Sequence, residues 1–293
     1  MVDYNAKAWL GVIFKFHRAD TLIKLLPLIL GVGLYSVLVA WGESNIDRFH
    51  NWNHLKNISM LHSILGFALS MLLVFRTNTA YERWWEGRKA WGSLVNSSRN
   101  LAIKLNSFLP LEMKEQRQFF KLMIGNYGFV LKNHLRKTWI EHEYEERPEL
   151  SNAELIAHEH KPNKLANEMN AAIHKLYISG TLKGEQLLMV NQELSNFAEV
   201  CGACERIANT PIPFSYSSFI KKFIFIYIIT LPLGYVFTLG YFVVPVVMFI
   251  CYVLLSLELI AEEIEHPFGV DANDLPTDQI ASGIRKSVSE ILT

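Results

Sequence analysis

The sequence predicts an all-α integral membrane protein with four transmembrane helices and a helical soluble region between the second and third. Three observations carry that expectation. From Phe223 to Leu257 there is no charged side chain. Directly after an earlier apolar run, the stretch from Phe75 to Gly92 crowds three Trp and four Arg or Lys together. That is the pattern of a membrane exit, with aromatic rings at headgroup depth and cations on the cytoplasmic side. The strict apolar–polar alternation of strands is nearly absent.

The elements follow in order. Leu25 to Trp41 is apolar and uncharged, with Lys24 placed to snorkel and Pro27 near the entry, so it reads as a first span. A polar loop, Gly42 to Asn57, follows, with Trp41 and Trp52 as interfacial anchors, and Ile58 to Phe75 is the second span. As one helix, Phe223 to Leu257 would be roughly 50 Å long at about 1.5 Å per residue, far more than a hydrocarbon core of about 30 Å. It therefore folds back, at Leu239-Gly240-Tyr241. The approximate spans are 22–42, 57–76, 219–240 and 241–262. Between them, Leu94, Leu101, Leu105 and Phe108 recur at helical spacing. So do Phe119, Leu122, Met123, Phe129 and Val130, and then Leu187, Leu188, Leu194 and Phe197. A charged loop from Glu141 to Glu149 separates two of these helices, and Pro148, Pro162, Gly180 and Gly184 supply breaks. The soluble region, 77–218 with a C-terminal segment 263–293, forms with the membrane bundle a single unit covering 1–293.

Composition agrees. Hydrophobic residues make up 51% and charged residues 19%, and formal net charge is zero, which fits a mixed membrane and soluble protein and offers nucleic acid no electrostatic footprint. Three cysteines make no disulfide framework. The first twenty residues contain Asp3, Lys7, Lys15, Arg18 and Asp20, leaving no apolar core for a cleavable signal. Lys and Arg flank the cytoplasmic side of the spans: Lys7, Lys15, Arg18 and Lys24, then Arg76, Arg83, Arg88 and Lys89, then Lys221 and Lys222. The first external loop has only Arg48 and Lys56, so both termini are expected on the cytoplasmic side of a multi-pass protein in a cell membrane, the inner membrane if the source is bacterial.

Chemistry-bearing patterns are few. Ser59, His62, Ser63, Gly66 and Ser70 fall within about a third of the second helix's circumference, which reads equally as close helix packing or as pore lining. Met60, Ile64 and Ala68, four apart, form a neighbouring apolar face able to build stacked rings if several copies surround an axis, or simply to face lipid. His62 is the ionisable group of that span, read first as a neutral His bonded within the bundle. Cys201-x-x-Cys204 lacks the βαβ context of a redox pair. The His142, His158 and His160 set does not match zinc-motif spacing. No phosphate loop, nucleophile elbow or His-Glu-x-x-His occurs, so no enzymatic activity and no cofactor are expected. After the last span, Glu258, Glu262, Glu263 and Glu265 precede Asp271, Asn273 and Asp274 in a turn, a set of oxygens that suits either a hard cation or an Asx-rich helix cap.

Arg83-Trp84-Trp85, Cys201-Gly202 ahead of Ile212-Pro213, Val243-Val244-Pro245-Val246, and Pro267-Phe268-Gly269 with its Asp-containing turn occur in the order in which similar segments occur in the bestrophin family. The chain resembles a compact prokaryotic bestrophin, with extra residues from Arg76 to Glu82 ahead of the Arg-Trp-Trp. The resemblance implies a homopentamer in membrane lipid, a central pore lined by the second span, an apolar neck, and a cytoplasmic constriction for which Ile178 is the candidate. By spacing the neck maps to Met60, Ile64 and Ala68; matching Leu65-Gly66-Phe67 instead puts Phe67 on the axis with Ser63 and Ser59. In animal members the acidic run after the last helix forms a calcium clasp. Here Val270 and Ala272 replace expected acids while Asp271 and Asp274 remain, so calcium-activated opening is not expected. The function expected is a passive channel for inorganic ions. The acids near the inner membrane surface tilt it toward cations, with an anion channel of the same architecture, or a non-conducting membrane scaffold, as alternatives.

Overall fold

The computed structural model describes residues 21–45, 58–146 and 151–292. The charged residues Lys7, Lys15 and Arg18, the loop residues Arg48, Trp52 and Lys56, and Pro148 and Glu149 lie outside them. Among the described residues every regular element is helical: α1 (Thr21–Asn45), α2 (Ile58–Phe108), α3 (Lys114–Leu135), α4 (Asn152–Ala157), α5 (Lys161–Ile178), α6 (Gly184–Asn209), α7 (Phe214–Leu239), α8 (Val243–Glu265) and α9 (Thr277–Ile291). These contribute to two compact units.

The first unit comprises the described residues up to Arg83, with Pro211–Glu265 and Asp271–Asn273. Among the described residues three stretches are long and apolar enough to cross a membrane: Thr21–Asn45, Ser59–Phe108 and Phe214–Glu265. The last is 52 residues long and is broken where length demanded it. α7 ends at Leu239, Gly240 adopts φ +52°, a single 3-10 turn covers Gly240–Phe242, and α8 packs back along α7 and α1. Gly240 sits in the left-handed region that a side chain resists. Close approach of α1 and α8 has its own glycine: a Cβ on Gly33 would lie 2.8 Å from Met248 Sδ. Two apolar clusters fill the unit, one around Ile29, Leu69, Leu73, Ile224 and Cys251 and one around Ala40, Leu231, Val236 and Val247.

α2 extends beyond the expected second span. That span ends at about residue 76, and the helix that carries it runs on for 51 residues from Ile58 without interruption, roughly 76 Å at about 1.5 Å per residue. No proline interrupts it, and Gly87, which usually weakens a helix, is occupied by packing: a Cβ there would meet the Phe268 ring at 3.1 Å. Ser63, Ser70, Thr77 and Thr79 return their hydroxyls to carbonyls four residues back, so polar side chains cost the helix little in an apolar medium. Its C-terminal end is closed by Arg117, which donates to the Leu109 carbonyl at 3.2 Å and to the Asn106 side chain, satisfying groups a helix end otherwise leaves open.

The second unit comprises Trp84–Thr210, His266–Val270 and the described residues from Asp274 on. The apolar positions read at helical spacing form its core: Leu94, Leu101, Leu105, Met123, Val130, Leu194 and Phe197 are buried with Trp91, Phe120 and Tyr127, whereas Leu188 is exposed. Tyr127 donates to the Phe197 carbonyl at 3.0 Å, with ring centroids 4.7 Å apart. Burial holds the Tyr127 hydroxyl well above its ordinary pKa, the nearby thiols adding to it. α9 lies against α3 because Gly125 and Gly128 leave room: a Cβ on Gly128 would stand 3.2 Å from the Ala281 backbone. Lys132 is buried between Glu143 at 2.5 Å and Asp278 at 2.7 Å.

Candidate pore helix and its supporting charges

In the first unit α2 has two sharply different faces. Leu69, Leu73, Arg76 and Ala80 are buried, and so is His62. Met60 is 73% exposed, Ile64 61% and Phe67 69%, and Met71 and Val74 continue the same line. The intervals 60, 64, 67, 71, 74 alternate four and three, the spacing of a single seam along a helix. Met60, Ile64 and Phe67, reached in sequence by two competing registers, thus share one exposed stripe. Ala68 is half-buried and lies off it.

The polar stripe divides. His62 Nε2 is 2.9 Å from Thr230 Oγ1 and its ring packs against Tyr227 and Tyr235. Gly66 admits Tyr227, whose hydroxyl would lie 2.7 Å from a Cβ. These two residues serve packing, while Ser63 and Ser70 stay exposed.

Beneath the buried face sits a charge cluster that the sequence did not pair. Arg76 donates to Glu265 at 2.7 Å and faces Glu258 at 3.7 Å, all three nearly inaccessible. Glu265 also accepts from the Ile212 amide at 2.8 Å, and its carbonyl accepts from Arg83 Nε at 3.2 Å. Lys24 meets Glu263 at 2.5 Å, Asn273 donates to the same carboxylate at 2.7 Å, and Lys221 meets Glu262 at 3.0 Å. Arg76, at the head of the Arg76–Glu82 stretch, is thus the cation that answers two buried acids.

The remaining signature residues are structural where they can be followed. The Trp84 and Trp85 rings stack at 6.5 Å. Pro267 and Phe268 are buried, and the Phe268 carbonyl accepts from Arg136 Nε at 3.0 Å. Gly269 is required by contact, because a Cβ would stand 2.7 Å from an Asp274 carboxylate oxygen. Asp271 is exposed and Asp274 buried. Ile178 ends α5 and is 71% exposed, followed by Gly180 at φ +77°.

A family model described as a Bacterial/Fungal Bestrophin protein matches residues 1–290. The chain belongs to the bestrophin family. It is 30% identical to a voltage-dependent anion channel-forming protein of Synechocystis, over 98% of this chain and 93% of the relative. To one of Escherichia coli K12 it is 32% identical, over 97% and 91%. A solved structure of a bacterial bestrophin homologue from Klebsiella pneumoniae matches with TM-score 0.84 and 28% identity, covering 92% of this chain and 100% of that one.

The Synechocystis and Escherichia coli relatives are named as channels and not as enzymes, and their names carry the anion reading rather than the cation preference drawn from the acids of α8. The geometry gives the reason for that correction: each of Glu258, Glu262, Glu263 and Glu265 faces an Arg or Lys, so the acidic run is not an uncompensated field. Sequence order conceals this, since the partners come from α1, α2 and α7. Cys201 and Cys204 are buried free thiols. Burial first and then the Glu205 charge push Cys201 up to about 12, and burial with Cys201 pushes Cys204 to about 12, which leaves no thiolate for redox exchange. His142 and His158 are exposed. His160 instead lies against His134 and Glu205, a grouping that spacing along the chain did not reveal.

Proposed function

We propose that this bestrophin assembles as five copies around an axis lined by the exposed stripe of α2, and that the assembly passes inorganic anions passively across a cell membrane. The observation that carries the reading is the stripe itself: Met60, Ile64, Phe67, Met71 and Val74 stand exposed on a helix whose opposite face is buried. An uncharged helix face in lipid needs no such seam, whereas copies around an axis would stack it into apolar rings. A ring of that kind closes to ions when it dewets and opens when it widens. The edges of aromatic rings carry partial positive charge, so Phe67 at the constriction favours an anion over a cation. The compensated acids of α8 leave no opposing field, and the names of the relatives agree. Four membrane crossings by α1, the first part of α2, α7 and α8 put Arg83, Arg88, Lys89, Lys221 and Lys222 on the cytoplasmic side, with Ile178 as a second apolar constriction there.

Bilayer recording of the purified protein in asymmetric sodium chloride tests this. A reversal potential moving toward the chloride equilibrium value is expected, and one moving toward the sodium value overturns the anion assignment. Absence of current from correctly assembled protein overturns conduction itself and leaves the scaffold. Stepping calcium from chelated to micromolar is expected to leave the current unchanged, because Val270 and Ala272 supply no carboxylate ligands.

A further inference from the structure

In the second unit three side chains from three helices meet at one point. His134 lies in the last turn of α3, His160 is the N-cap of α5 and Glu205 lies in α6. His134 Nε2 is 2.6 Å and His160 Nε2 2.8 Å from the same oxygen, Glu205 Oε1, and the imidazole centroids are 4.7 Å apart. All three ligand atoms lie within 4.8 Å of one another. None is deeply buried, and His134 and Glu205 open onto a cleft of about 550 Å³ that Lys137, Lys161 and Glu159 also line.

We infer that His134, His160 and Glu205 bind a divalent transition-metal ion of the zinc class. Two imidazole nitrogens and one carboxylate oxygen are three of the four ligands tetrahedral zinc takes, with water from the cleft as the fourth. Ligand atoms about 2.0 Å from such an ion stand roughly 3.3 Å apart. The two short separations therefore open by about half an ångström, which half-exposed side chains can accommodate by rotation. Magnesium and calcium demand oxygen ligands throughout and do not suit two imidazoles. One local bond is given up: His160 Nδ1 accepts from the Asn163 amide at 3.2 Å, capping α5, and ligation through Nε2 puts the ring proton on Nδ1. That loss, together with two lysine ammonium groups in the cleft, favours micromolar over tighter affinity. Bound metal would cross-link α3, α5 and α6. The inference is independent of the permeant ion and of the number of subunits.

The full chain, purified in detergent and stripped with chelator, is titrated with zinc chloride by calorimetry and by thermal melting. One zinc per chain and a raised melting temperature are expected, with millimolar magnesium giving neither. Glu205→Gln and His134→Asn should each weaken binding by at least about tenfold. Melting without zinc confirms that each variant is folded; if Glu205→Gln fails to assemble, His134→Asn and His160→Asn decide the matter. No uptake by the wild type, or an unchanged titration in the folded variants, overturns the site.

Discussion

α2 contains two stretches whose apolar residues meet opposite fates. In the first unit Leu61, Ile64, Phe67 and Val74 are exposed; in the second, Leu94, Leu101 and Leu105 are wholly buried. Charge differs as well: Arg76, Glu258, Glu263 and Glu265 are enclosed among the smaller set of charges of the first unit, while the second buries Arg117, Lys132 and Asp274 and leaves most of its charges accessible. A helix that buries Arg76 while exposing Leu61, Ile64, Phe67 and Val74 is not arranged for water along that length, because the hydrophobic effect has no reason to hide such side chains from lipid or from a neighbouring subunit. Helix propensity is indifferent to the change, which is why a single rod carries both.

The contrast is most vulnerable at Arg76. Arg76→Met leaves two buried carboxylates without their cation and is expected to cost about 3–5 kcal/mol, read as lost assembly or a large fall in melting temperature in detergent; a variant as stable as wild type would mean that water or lipid headgroups reach Glu258 and Glu265. Next come paired truncations in the same helix. Leu105→Ala, in the second unit, should cost about 2–5 kcal/mol, whereas Leu61→Ala should stay within about 0.5 kcal/mol. Equal losses would show that the exposed stretch is packed against something in the assembly as tightly as a core.

Lys132→Met gives a smaller effect, about 1.5–3 kcal/mol from lost charged hydrogen bonds, and has a pH signature. Burial pushes the Asp278 carboxyl upward, but hydrogen bonds from Lys132 and Arg136 outweigh it and hold the group below its ordinary value. A carboxyl depressed in the folded state stabilises above its unfolded pKa and loses that contribution as pH falls through the folded one. Melting temperature followed from about pH 7 to about pH 3 should therefore fall less steeply in Lys132→Met than in wild type. The least effect on stability and a large one on current is expected for Ile64→Ala, which widens an apolar ring and should raise conductance or open probability; an unchanged current from assembled channels would remove Ile64 from the axis, and an effect at Phe67 alone would move the constriction there.

Much of the fold was legible because lengths and charges are local properties. The uncharged run from Phe223 to Leu257 could not be one span, and Gly240 was the residue able to turn it. The core of the second unit followed from the spacing of Leu94, Leu101, Leu105 and Phe197. What stayed hidden depends on which helices lie side by side. Glu258 and Glu265 read in sequence as part of an acidic run favouring cations, because Arg76, which answers them, is nearly two hundred positions away. His160 was grouped with His142 and His158 by proximity along the chain, while its spatial partners come from α3 and α6. A strict spacing of four groups Ala68 with Met60 and Ile64, whereas alternating steps of three and four follow the exposed line of the helix to Phe67.

The buried thiols make this chain convenient for chemical mapping. All three native cysteines, Cys201, Cys204 and Cys251, are enclosed, and with Cys201 and Cys204 near 12 only about one in a hundred thousand of those two is ionised at neutral pH. Maleimides and methanethiosulfonates attack the thiolate. A cysteine introduced at Met60, Ile64 or Phe67 would then label against an almost silent background, and protection of that site by permeant ions would report residue by residue which side chains the conducting water touches.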